Sequence, residues 1–130
     1  MKYYFQACLL SLVSASFFLT SLVGQAAQSP VDKHGQLSIV EGRVLDQHLQ
    51  PVSLAGPSLF WSTNKMEGES FYTARTVRQV KQNWKASIIR AAMSAQGEGS
   101  YLTHPEDNQA KVERVVDAAV AEGLYVIIDW

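Results

Sequence analysis

Cysteine is nearly absent from this chain: Cys8 stands alone among 130 residues. No intrachain disulfide and no thiolate metal site can form from it. His34, His48 and His104 stand far apart, without the spacing that lets neighbouring ligands share a metal. Excess charge of either sign is missing too. Eleven Lys and Arg against twelve Asp and Glu leave −1 at pH 7, which offers nothing to nucleic acid or to an anionic membrane. Gly97-Glu98-Gly99-Ser100 is rich in glycine but lacks the lysine and spacing of a phosphate loop. Neither a metal nor a cofactor is therefore expected. What remains, 47% hydrophobic and 18% charged, is ordinary globular material for one domain at most.

The N-terminus reads as a targeting segment. Lys2 gives a positive start, Ala7 to Val23 is largely apolar, and Gly24-Gln25-Ala26 supplies the small residues of a cleavage site. A transmembrane anchor is the competing reading. The stretch is about as short as a span can be, and Ser11, Ser14, Ser16, Thr20 and Ser21 dilute it. A signal peptide over 1–26 is therefore expected, with a secreted product and no membrane association after cleavage. Cys8 precedes most of the apolar stretch, so it is no lipid-acylation site, and it leaves with the leader.

Beyond it, 27–36 reads as a polar connector. Leu37 to Val40 and Arg43 to Leu45 alternate around Glu41-Gly42, a two-residue hairpin turn. Val52 to Leu54 is expected to continue this ribbon, and Leu54 to Gly56 to open the core as a first strand, with Pro57 ending its pairing. Thr73 is a candidate N-cap for a helix through Trp84, with Val77, Val80 and Trp84 on its core face. Arg75, Arg78, Lys81 and Lys85 form the solvated face. Ser87 to Met93 is an apolar run interrupted by Arg90. Thr103-His104-Pro105-Glu106 fits a capping box, and Val112, Val115, Val116, Ala119 and Val120 give the following helix a core stripe. Gly123 ends it. Leu124 to Ile128 is a continuous apolar run closed by Asp129, the pattern of a strand buried on both faces with a polar end. Strand, helix, strand predicts parallel neighbours in an α/β fold. A doubly wound sheet and a (β/α)8 barrel both fit that order.

Two residues stand out chemically. Leu59, Phe60 and Trp61 are large and apolar in a loop, so they either plug the core or, in the case of Trp61, line a cleft. Arg90 in an apolar strand must be paired or hydrogen-bonded. It either snorkels out of the sheet or pairs with a structural carboxylate, or it orients a catalytic carboxylate or a substrate from inside a site.

Three stretches carry a resemblance: Leu54-Ala55-Gly56-Pro57-Ser58-Leu59-Phe60-Trp61-Ser62, Trp84-Lys85-Ala86-Ser87-Ile88-Ile89-Arg90-Ala91-Ala92-Met93, and Gly123-Leu124-Tyr125-Val126-Ile127-Ile128-Asp129-Trp130. Together they resemble the opening third of the bacterial endo-β-1,4-glucanases of glycoside hydrolase family 5, from about Leu37 to Trp130. The resemblance implies the first three βα units of a (β/α)8 TIM barrel behind an N-terminal β-hairpin, so that 37–130 is an incomplete barrel. It also implies retaining hydrolysis of β-1,4-glucan by two glutamates about 5 Å apart. In that family they end the fourth and seventh strands, so neither is expected within this chain, which then supplies no catalytic residue of its own. Arg90 matches the arginine that supports the catalytic region, and Trp61 a tryptophan that offers its face to a sugar. Both are thus candidate substrate-binding residues. Ser62 and Ser94 stand where some members carry subsite tyrosines, and a histidine normally follows the pair matched by Asp129-Trp130.

Three expectations follow. The first is the N-terminal part of a secreted cellulase, inactive by itself because nothing in it suggests a facing carboxylate pair with one raised pKa. The second is a truncated product, inert or merely glucan-binding. The third is a mannanase-type hydrolase on the same barrel.

Overall fold

The computed structural model describes residues 28–63 and 67–130. The expected signal peptide, 1–26, lies outside the described residues. No described helix is long and apolar enough to cross a membrane.

The stretch expected to be a connector contains a helix, α1 (Pro30–His34). Ser29 and Asp32 form a reciprocal capping box around its first turn, and Pro30 presets the first helical φ. Strands β1 (Ser38–Val40) and β2 (Arg43–Leu45) then pair antiparallel, with Ile39 opposite Val44. The turn is Glu41-Gly42, both at positive φ, as a type I′ hairpin turn demands. The ribbon does not continue as a strand over Val52 to Leu54. One bridge, Leu45 to Pro51, and one hydrogen bond from Val52 N to Val44 O extend it.

The parallel unit follows. Helix α2 (Ala74–Trp84) begins at Thr73, whose hydroxyl accepts from the amide of Thr76. Strand β3 (Ile88–Ala92), helix α3 (Pro105–Ala121) and strand β4 (Tyr125–Asp129) complete a βαβ crossover. β3 and β4 are parallel, with Arg90 opposite Ile127 and Ala92 opposite Asp129. Ile89 and Ala91 alternate toward the helical layer, where they meet Val77 of α2 and Val112, Val115 and Ala119 of α3. Burial of this apolar face contributes the main favourable term. Period-two alternation places Arg90 on the opposite face.

Leu54 to Gly56 is not a regular strand, yet its chain does occupy the expected first position. It runs parallel beside β3, with Ser87 N donating to Ala55 O, Arg90 N to Pro57 O and Leu59 N to Arg90 O. Pro57 has no N–H, so the ladder cannot be regular there. Gly56 is required by packing: a Cβ on it would sit 1.6 Å from the carbonyl oxygen of Ile88.

Four further expectations are corrected. Trp84 is not core; it is 69% exposed and lines an open groove between α2 and 57–60, because the buried stripe of α2 stops at Val77 and Val80. Thr103 does not cap α3. Its hydroxyl donates to Ser100 O and Gly97 O, and the N-cap, His104, makes no side-chain cap bond. β4 is not buried on both faces, since Ile127 and Ile128 are about half exposed and β3 is its one partner among the described residues. Val120, at the edge of the α3 stripe, is exposed as well.

Candidate active-site cleft

The C-terminal ends of β3 and β4 open onto the loops that carry the candidate residues. Arg90 lies in mid-strand on the face away from the helices. Its Nε and Nη2 both donate to Oδ2 of Asp129, at 3.0 and 2.6 Å, and its Nη1 donates to Ser58 Oγ at 2.8 Å. The arginine thus joins all three parallel segments, and two of its five N–H bonds have no acceptor among the described residues. The pair is partly open to water, 36% and 43% exposed, so its Coulomb attraction is screened and its worth is mainly geometric. Asp129 Oδ1 is buried and has no partner among the described residues.

Leu59 is buried, whereas Phe60 and Trp61 are each half exposed, with ring centroids 5.4 Å apart. The two open readings of this loop are therefore split between its residues. Trp61 borders a cleft of about 280 Å³ with Met93, Ser94, Ala95, Gln96 and Trp130. An adjoining hollow of about 340 Å³ lies on the Tyr101 and Leu102 side of the same loop. Among the described residues, no Asp or Glu lines either space.

The Trp61 loop is pinned from beneath. Tyr72 is fully buried, and its hydroxyl lies 2.7 Å from Phe60 O and 2.6 Å from Ala92 O. Burial disfavours its ionised form and pushes the phenol up to about 12. Ser62 N also donates to Ala92 O. Ser62 and Ser94 are both buried, Ser94 at the edge of the cleft lining and Ser62 behind it, and they belong to a polar network with Asn108 and Ser100. Lys111 closes this network from below, donating to Ser62 O, Glu69 and Asp107. Burial opposes its charge, but the two carboxylates outweigh that and hold its pKa above the usual lysine value. Tyr72, Asn108 and Lys111 were not singled out from the sequence. Asn108 stands one turn before Val112 on the apolar stripe of α3, and a polar residue on that stripe is the signal that could have marked it.

Residues 45–130 match the family model described as Cellulase (glycosyl hydrolase family 5). The chain belongs to this family. Its relatives include Endoglucanase Z of Dickeya dadantii, 60% identical over 78 residues, which are 60% of this chain and 18% of that protein. Endoglucanase E-5 of Thermobifida fusca is 33% identical over 103 residues, 78% of this chain and 21% of that protein. Among solved structures, the catalytic domain of Thermobifida fusca endoglucanase Cel5A superposes with a TM-score of 0.71 at 32% identity, over 79% of this chain and 32% of that one. A protein from Cytophaga hutchinsonii superposes with a TM-score of 0.73 at 38% identity, over 79% of this chain and 32% of that chain. The chain thus spans about a fifth of the curated relatives it matches. The parallel segments of this family 5 chain are the first βα units of a TIM barrel, and its cleft lies at the C-terminal ends of the strands, the face where barrels of this kind hold their active sites.

Proposed function

We propose that these residues form the opening part of the catalytic barrel of a secreted endo-β-1,4-glucanase that cuts cellulose-type β-glucan with retention of configuration. The observation that carries the reading is Trp61, half exposed over the cleft beside the strand that bears Arg90. An aromatic face suits a pyranose because the ring's axial C–H bonds pack against the π cloud. Arg90, anchored by Asp129 and Ser58, directs its remaining N–H bonds toward substrate or a catalytic carboxylate. The acid and the nucleophile, about 5 Å apart in a retaining enzyme, lie outside these residues. A cellotetraose complex of the Thermobifida fusca Cel5A catalytic domain supports the choice of β-1,4-glucan. Residues 1–26 direct export and are removed.

The full-length protein should hydrolyse carboxymethylcellulose and leave mannan nearly untouched, while the 130-residue chain should hydrolyse neither. Faster cleavage of mannan would transfer the reading to a mannanase, and turnover by the 130-residue chain would end it. Trp61→Ala should raise KM about tenfold through lost stacking and apolar burial. An unchanged KM would remove Trp61 from the sugar site.

A further inference from the structure

We infer that Asn108 is a positioning residue of the cleft: its carboxamide locks the Trp61 wall to the 93–96 wall and so sets the width of the groove. The inference takes the groove's occupant, a β-glucan chain, from the function proposed above; the lock itself rests on geometry.

Asn108 sits in the first turns of α3 and is fully buried. Its Nδ2 donates to Gly99 O at 3.0 Å and to His104 O at 2.9 Å, and its Oδ1 accepts from Ser62 Oγ at 2.6 Å. Carbonyls only accept, so the amide nitrogen must face them, and the amide oxygen must face the hydroxyl. Having given its proton to Asn108, Ser62 Oγ accepts from Ser94 N at 3.2 Å. Ser62 follows Trp61 directly. Ser94 stands between Met93 and Ala95, and all three line the cleft opposite Trp61. One unbroken run of buried hydrogen bonds therefore spans both walls. It extends through Ser94 and Ser100 to Gln96 O. Every polar atom along this run has a partner, and such networks fix one geometry because leaving a member unpaired in a dry site is costly. If Asn108 served only α3, its bond to His104 O would suffice; the Ser62 bond reaches a loop 46 positions earlier in the chain.

The test is made in the full-length protein. In Asn108→Asp a carboxyl oxygen replaces the amide nitrogen that faces Gly99 O and His104 O: the protonated acid has one proton for the two acceptors, and the ionised acid has none. KM for carboxymethylcellulose should rise about tenfold, with kcat within about twofold. The penalty should grow as pH rises, because ionisation removes the last donor. Ser62→Ala cuts the link between the walls, adds no charge and leaves the bonds within α3 intact; its KM should rise about fivefold. A lower melting temperature for Asn108→Asp with unchanged KM, and a silent Ser62→Ala, would confine Asn108 to helix stability and overturn the inference. If the unaltered protein proves inactive on β-glucan, the functional reading fails by itself. The lock is then decided by amide hydrogen exchange at Ser94, which should quicken about tenfold in Ser62→Ala; exchange at the unaltered rate would refute it.

Discussion

Replacing Tyr72 with phenylalanine removes one oxygen and almost no volume, so it isolates the hydrogen bonds that hold the Trp61 loop. Ala92 O keeps a second donor, Ser62 N, but Phe60 O has no other partner among the described hydrogen bonds. The loss is thus one net bond plus one poorly satisfied carbonyl, about 1–2 kcal/mol. pH gives a second, sharper handle. The folded phenol is raised to about 12 from its ordinary 10.0, so the unfolded chain ionises first. The tyrosine's stabilising contribution is complete below pH 10 and is lost as pH climbs toward 12. Two pH units at about 1.4 kcal/mol each amount to roughly 2–3 kcal/mol. Urea unfolding of Tyr72→Phe and the unaltered protein at pH 8 should differ by about 1–2 kcal/mol, and the gap should close near pH 11. Comparing the two proteins cancels Lys111 and Tyr125, whose pKa values are also raised. A gap that stays constant from pH 8 to 11.5 would show that the phenol is not a buried donor and would refute the reasoning.

Two further outcomes follow from packing and charge. Gly56→Ala places a methyl 1.6 Å from Ile88 O, a clash that only movement of backbone held by Ser87 and Arg90 can relieve; the loss should exceed about 3 kcal/mol in urea unfolding, and a loss under 1 kcal/mol would show that the segment is not fixed against β3. Lys111→Met removes the cation between Glu69 and Asp107, which are 35% and 51% exposed and pass to water, and it also removes the donor to the buried Ser62 O, so about 1–3 kcal/mol is expected, mostly from the carbonyl; a loss above about 5 kcal/mol would mean that the charges are far drier than their exposure implies.

The sequence marked the parallel core well because its signals are periodic. Val77 and Val80, Ile89 and Ala91, and Val112, Val115 and Ala119 each repeat at the spacing of their element. The hairpin was legible from Glu41-Gly42, and the junction of β3 with β4 from two apolar runs around one amphipathic helix. Trp84 and Val120 were misplaced because spacing names a face without saying whether anything covers it. The 54–57 segment fell between descriptions, since a proline removes the ladder bond that defines a strand while its neighbours still bond to β3. Trp61 and Arg90 could be picked out as misfits in their local setting. What surrounds them could not. Asp129 becomes a partner of Arg90 through register, and Tyr72, Asn108 and Lys111 matter through contacts with residues distant in the chain, which no local pattern encodes.

The short helix α1 owes its place to the far end of the described chain. Val31 N donates to Gly123 O, and Tyr125 Oη donates to Gly35 O across 90 positions. Five residues cannot hold a helix alone in water. During folding, α1 must therefore idle until the turn after α3 and the start of β4 are in place. Because the longest closure is the slowest to form, this clasp joins the folding sequence late, and the base of the structure stays open to proteases until it does.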